Sequence, residues 1–200
     1  MTSLLLLLPH QLEAVLELHK KNGVAFVKGK VGSGKTLIAI QFLKEVKVKN
    51  VLILCPKSII TQWQKEIVKF GGSSDWIVVN YEKLLDESFY KILLSSVPEA
   101  IVADEAVKVK SGTGKIAKRF RRLQSRYRIA MAANLVPNAL WELYSPLSWF
   151  CPRLLGKSFW EFKKEHTIAN PHIPGMIISY RDPNRLIDLL QTYTVSVQWD

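Results

Sequence analysis

Eight consecutive residues, Gly29-Lys30-Val31-Gly32-Ser33-Gly34-Lys35-Thr36, have the types and spacing to hold a chain of phosphates. They fit G-x-x-x-x-G-K-[ST] at every fixed position. Gly29, Gly32 and Gly34 let the backbone fold tightly, so that the N–H groups around Val31 and Ser33 turn inward as an anion-binding nest. Lys35 brings a mobile positive charge to β- and γ-phosphates, and the Thr36 hydroxyl is suited to Mg2+. The second reactive pair is Asp104-Glu105, adjacent carboxylates at the end of an apolar run. Downstream of a phosphate loop, the first acid suits the metal and the second suits orienting and deprotonating a water. The chemistry predicted from the two motifs is binding of ATP with Mg2+ and hydrolysis, with Lys35, Asp104 and Glu105 as catalytic residues.

Such chemistry needs both motifs at one edge of one sheet. Residues 24–27 form a short apolar run before the loop, and residues 36–46 are apolar almost all round, as a helix buried against a sheet would be. Strand, glycine loop and helix start aim a helix dipole at the phosphate. Further strands are predicted at 51–55, 76–79, 100–103 and 128–132. Helices are predicted at 9–21, 58–70, 82–94, 138–150 and 184–193, and a surface loop at 71–74. The alternation predicts an α/β fold with a parallel sheet covered on both faces. In such a sheet the loop and the acids converge at the C-terminal strand edge. Residues 1–155 are expected to form the nucleotide-binding lobe, and 156–200 an extension of it containing Pro171, Pro174 and Pro183 rather than a second domain.

The 200 residues are ordinary globular material at 48% hydrophobic and 22% charged, but the net charge of +11 is not ordinary. It points to a polyanionic partner, nucleic acid first. Between Ala106 and Trp141 there is no Asp or Glu, while Lys108, Lys110, Lys115, Lys118, Arg119, Arg121, Arg122, Arg126 and Arg128 fall in that span. A solvated face mixes both signs, so this stretch reads as a phosphate-backbone contact surface, insensitive to base sequence and sensitive to salt. Cys55 and Cys151, far apart and in no metal-like spacing, read as core thiols of a reducing compartment. The run at 4–8 is too short and lacks the basic leader of a signal peptide, and no stretch reaches membrane-spanning length. The expectation is an intracellular protein, cytoplasmic or nucleoid-associated or nuclear, without a membrane partner.

Several segments, in order, resemble the Swi/Snf-type ATPases, double-stranded-DNA translocases of helicase superfamily 2. These are Leu8-Pro9-His10-Gln11, the loop 29–36, Pro56-Lys57-Ser58 followed by Gln62-Trp63, Asn80-Tyr81-Glu82, and Asp104-Glu105-Ala106. Val136-Pro137-Asn138, Glu142-Leu143-Tyr144 and Phe159-Trp160-Glu161-Phe162 resemble the same family's first lobe. The resemblance implies a P-loop, RecA-like three-layer sandwich with a mostly parallel central sheet and a short C-terminal extension. It also implies that Gln11 reads the adenine edge, a role spacing alone does not assign. Lys57, Ser58 and Tyr81 would lie along the DNA backbone, joined by Lys108, Lys110, Arg119 and Arg122 from the basic stretch.

The chain departs from that family where Val107 stands in place of the usual His, and where Ala133-Asn134-Leu135-Val136 replaces T-G-T-P. The family also needs a second RecA-like lobe, in cis or in trans, which supplies arginine fingers. Such fingers are worth about a thousandfold or more in rate, so the first lobe by itself is expected to be weakly active or inactive. Two other readings follow from the same residues. One is a stand-alone nucleotide- or DNA-binding module that has lost hydrolysis. The other is a small P-loop kinase, which leaves the basic stretch and the segment 56–63 without a role.

Overall fold

The computed structural model describes residues 7–109, 113–133, 140–152, 155, 158–173 and 176–198. Its main sheet has six strands in the order β3-β2-β4-β5-β1-β8, each pair parallel. In chain order these are β1 (Val24–Gly29), β2 (Val51–Cys55), β3 (Ile77–Asn80), β4 (Ala100–Asp104), β5 (Tyr127–Ala132) and, after the small hairpin described below, β8 (Thr194–Val197). The helices are α1 (Pro9–Lys20), α2 (Lys35–Glu45), α3 (Ile60–Lys69), α4 (Glu87–Ser95), α5 (Lys115–Arg122), α6 (Tyr144–Phe150), α7 (Phe159–His166) and α8 (Pro183–Tyr193).

Strand alternation sends side chains to both faces, and both are dry. In β2, Val51, Ile53 and Cys55 join the layer made by α1, α2 and α3, with Leu18, Ile38, Leu43 and Trp63. Leu52 and Leu54 point the other way, towards Tyr81, Leu84, Tyr90, Phe120 and Trp149 beside α4, α5 and α6. A smaller core gathers Leu143, Leu147, Phe162 and Leu186 from α6, α7 and α8. The expected three-layer α/β sandwich is therefore present.

Several elements differ from the sequence reading. The helix expected from residue 58 begins with a 3-10 turn, Lys57–Ile59, and the one expected from 82 begins with another, Tyr81–Leu85, before the Asp86 side chain caps α4 at Phe89 N. The end of the chain supplies a sixth strand, β8, which pairs with β1 so that Val197 lies level with Gly29. An antiparallel hairpin, β6 (Thr167–Ala169) with β7 (Ile177–Tyr180), was not expected either. The basic stretch holds a helix, α5, whose Ala117 and Phe120 are buried. Residues 138 and 139 of the helix expected over 138–150 lie outside the described residues, and the part that is described is a 3-10 turn followed by α6.

Candidate active site

The phosphate loop leaves β1 at Gly29 and enters α2 at Lys35. Gly32 and Gly34 have φ of +85° and +82°, the left-handed region that glycine enters without strain. Gly34 is the N-cap of α2, so Lys35 and Thr36 occupy its first turn, where the helix dipole favours an anion. Val31 is exposed and Ser33 is buried, its Oγ without a hydrogen-bond partner among the described residues. Lys35 Nζ donates to Gly29 O at 2.6 Å and Lys30 O at 3.0 Å. Its ammonium thus lies across the mouth of its own loop. Burial lowers the Lys35 pKa, against the opposing pull of Asp104 and Glu105.

Gln11, on α1, is buried against this loop. Its Oε1 accepts from Leu8 N at 3.0 Å, and a Cβ at position 34 would lie 2.3 Å from its Nε2. Gly34 is thus required twice, by its φ and by the glutamine packed on it. A cavity of about 340 Å3 beside the loop is lined by Lys28, Gly29, Ser33, Ala133 and Ser196.

Asp104 ends β4. Register places both Asp104 and Val27 level with Met131 of the intervening β5. Two strand spacings, about 10 Å, therefore separate the acid's strand from the loop's strand at that level. Asp104 is only 7% exposed. Its Oδ2 accepts from the Trp63 indole Nε1 at 2.9 Å, its Oδ1 from Glu105 N at 2.9 Å, and its carbonyl from the Tyr81 hydroxyl at 2.6 Å. Burial raises the Asp104 pKa, while those two donors to its carboxylate and the charge of Lys35 hold it down. Glu105 follows at φ +50°, a conformation costly for a non-glycine residue and common at functional sites. An orphaned Ser33 hydroxyl, a lysine turned on backbone oxygens and a buried, oriented carboxylate form a donor set that fits a magnesium nucleotide.

The residues expected to contact a polyanion divide. Lys57 and Ser58 are exposed and line a groove of about 850 Å3 together with Lys115. Arg122 is exposed and lines a different hollow, of about 490 Å3, with Lys118, Arg121 and Trp160. Tyr81 lines the same groove as Lys57 and Ser58, but its hydroxyl is already engaged. It is 3% exposed, its hydroxyl is spent on Asp104, and burial pushes its pKa well up. Arg119 is likewise a tether: its Nη1 donates to Leu84 O at 2.7 Å, its Nη2 pairs with Glu87, and its guanidinium covers the Tyr90 ring. Arg128 donates to Gln124 and to Phe150 O, so part of the basic stretch serves the fold. Lys108 lies in a 3-10 turn, Ala106–Val109, and Lys110 lies outside the described residues.

In the sequence Trp63 figures only within the helix predicted over 58–70 and in the Gln62-Trp63 resemblance. A buried indole N–H needs an acceptor, but nothing in the spacing identifies Asp104, 41 residues away, as that acceptor.

Residues 4–133 match the family described as Type III restriction enzyme, res subunit. The uncharacterized ATP-dependent helicase YqhH of Bacillus subtilis is 31% identical over 204 residues, which span 90% of this chain and 37% of that protein. Switch 2 of Arabidopsis thaliana is 28% identical over 188 residues, 75% of this chain and 22% of that one. Among solved structures, the Sulfolobus solfataricus SWI2/SNF2 ATPase core in complex with dsDNA superposes with a TM-score of 0.76 at 26% identity, covering 94% of this chain and 43% of that one. The chain thus spans well under half the length of these relatives.

Proposed function

Because the chain belongs to the family described as Type III restriction enzyme, res subunit, and is the first RecA-like lobe of a Swi/Snf-type ATPase, we propose that it is the nucleotide-binding half of a DNA-dependent translocase. Its substrate would be ATP with Mg2+, and its track the backbone of double-stranded DNA. One observation carries this reading: the loop with Lys35 and the buried Asp104 meet at the same edge of one sheet.

In this reading the loop N–H groups from Val31 to Lys35 bind the phosphate chain, and Lys35 exchanges two backbone oxygens for phosphate oxygens. Thr36 and Asp104 would hold the metal, which would supply positive charge against that developing on the phosphates. Trp63 and the Glu105 N–H keep the Asp104 carboxylate aimed. Glu105 orients the attacking water and takes its proton. Gln11, packed on Gly34, borders the loop on the side where the family resemblance puts the adenine. Lys57, Ser58 and Arg122 remain available to phosphodiester oxygens, whereas Tyr81 and Arg119 serve the interior.

Stepping along DNA requires a second lobe, in cis or in trans, and with it the arginine fingers. Joining such a lobe to this chain should produce ATP hydrolysis that duplex DNA stimulates and Lys35→Ala abolishes. A reconstituted enzyme indifferent to duplex DNA would refute the translocase reading. Val107 and the altered segment Ala133-Asn134-Leu135-Val136 favour a second reading, a nucleotide- or DNA-binding module without hydrolysis. Duplex affinity unchanged by ATP, together with no rescue by a second lobe, would select that one.

A further inference from the structure

The groove lined by Lys57 and Ser58 contains one residue, Tyr81, that also holds Asp104. Its walls include Pro56, Lys57, Ser58, Tyr81, Leu85 and Lys115. Tyr81 lines the groove and gives its hydroxyl to the Asp104 carbonyl. Lys57 and Ser58 lie in the 3-10 turn that runs without a break into α3. The first full turn of α3 carries Trp63, whose Nε1 donates to the Asp104 carboxylate. One wall of the groove, Tyr81, is therefore bonded to the Asp104 backbone, and the helix that continues from a second wall, Lys57 and Ser58, is bonded through Trp63 to the Asp104 carboxylate. Both relaying side chains are buried, at 3% and 2% exposure, so neither is a surface ligand itself.

Resting on the reading of Asp104 as a metal ligand, we propose that Tyr81 and Trp63 are positioning residues that couple occupancy of this groove by a phosphodiester backbone to the metal–nucleotide site. A backbone seated on Lys57 and Ser58 fixes the start of α3 and the Tyr81 turn. These in turn hold Asp104 in its metal-facing arrangement before the nucleotide arrives. Ordering already completed by one ligand need not be repeated for the other, so each ligand tightens the other. Linkage makes the two effects equal.

The test is binding, not turnover. A short fluorescent DNA duplex is titrated into the chain with and without saturating MgATP, and ATP is titrated with and without duplex. For the native sequence each ligand should improve the other by about fivefold or more, the ordinary range for coupled sites. Tyr81→Phe and Trp63→Phe should each reduce that factor to less than about two. Duplex affinity without nucleotide should stay unchanged, because Lys57 and Ser58 remain. Leu85→Ala alters the groove wall without touching Asp104 and should keep the full factor. Tyr81→Phe removes one oxygen and little volume, so it carries the test if Trp63→Phe fails to fold. A coupling factor that survives Tyr81→Phe overturns the relay. So does an equal loss of duplex affinity with and without nucleotide, which would make Tyr81 a direct contact. Native chain that binds both ligands without coupling overturns the relay alone; native chain that binds no MgATP overturns the functional reading and the relay with it.

Discussion

A methyl group at position 34 probes how tightly α1 and the phosphate loop fit. Gly34 sits at φ +82°, where an L side chain costs about 1–2 kcal/mol. The new Cβ would lie 2.3 Å from Gln11 Nε2, so the amide must swing away and give up the hydrogen bond from Leu8 N. That loss adds about 1 kcal/mol, for a total of about 2–3 kcal/mol. At roughly 2–4 °C per kcal/mol for a chain of this length, Gly34→Ala should melt about 4–12 °C lower in a circular-dichroism scan. Gln11→Ala alone should cost about 1 kcal/mol. The double variant keeps the backbone strain but has no amide left to displace. It should therefore fall short of the sum of the single effects by about 1 kcal/mol, outside the scatter of independent sites. Additive effects, or a neutral Gly34→Ala, would refute the packing of Gln11 on the loop.

Gly23→Ala should be costly for a different reason. At φ +65° its Cβ would lie 2.5 Å from both Phe42 Cζ and Tyr127 Cδ1, so strain and overpacking together should reach about 2–5 kcal/mol in urea denaturation; a loss below about 1 kcal/mol contradicts this. Burial pushes the Cys55 and Cys151 thiols up to about 12 and about 11, disfavouring the thiolate. At pH 8 the reactive form is thus roughly one part in a thousand or less. Iodoacetamide should label neither cysteine in native protein and both in urea, and fast native labelling would show the thiols to be accessible. Arg119→Met should destabilise by about 1–3 kcal/mol, because the Leu84 carbonyl loses its donor. It should leave duplex affinity within about twofold, whereas Arg122→Ala should weaken duplex binding and its salt dependence without moving the melting temperature.

How legible the molecule was from sequence varies with the range of the interactions. The loop 29–36 and its flanks are local: three glycines, a lysine and a threonine specify a strand–loop–helix with no help from elsewhere. The strand ending in Asp104 was equally plain, since residues 100–103 are an unbroken apolar run next to the acids. β8 was not legible. Its four residues follow α8 directly, and only pairing with β1, some 170 residues earlier, makes them a strand. Arg119 looked like one more cation in an acid-free run, and its true partners, Leu84 O and Glu87, sit more than 30 residues away. Tyr81 and Trp63 carry a role that spacing does not show: both are buried in the core, and both donate to Asp104. Charge and spacing show which groups a segment carries, but not which of them the fold consumes.

In the proposed reading the glycine loop and Asp104 act together on one metal–nucleotide. Calorimetric titration of ATP into the chain, with Mg2+ and then with EDTA, tests it for the native sequence, Lys35→Ala and Asp104→Asn. Lys35→Ala should weaken binding about tenfold or more in both conditions, as loss of a charge-assisted contact would. Asp104→Asn should weaken it only when Mg2+ is present, because in the proposed reading that acid acts through the metal. Native chain that fails to bind ATP, or an Asp104→Asn defect of equal size in EDTA, would contradict the account.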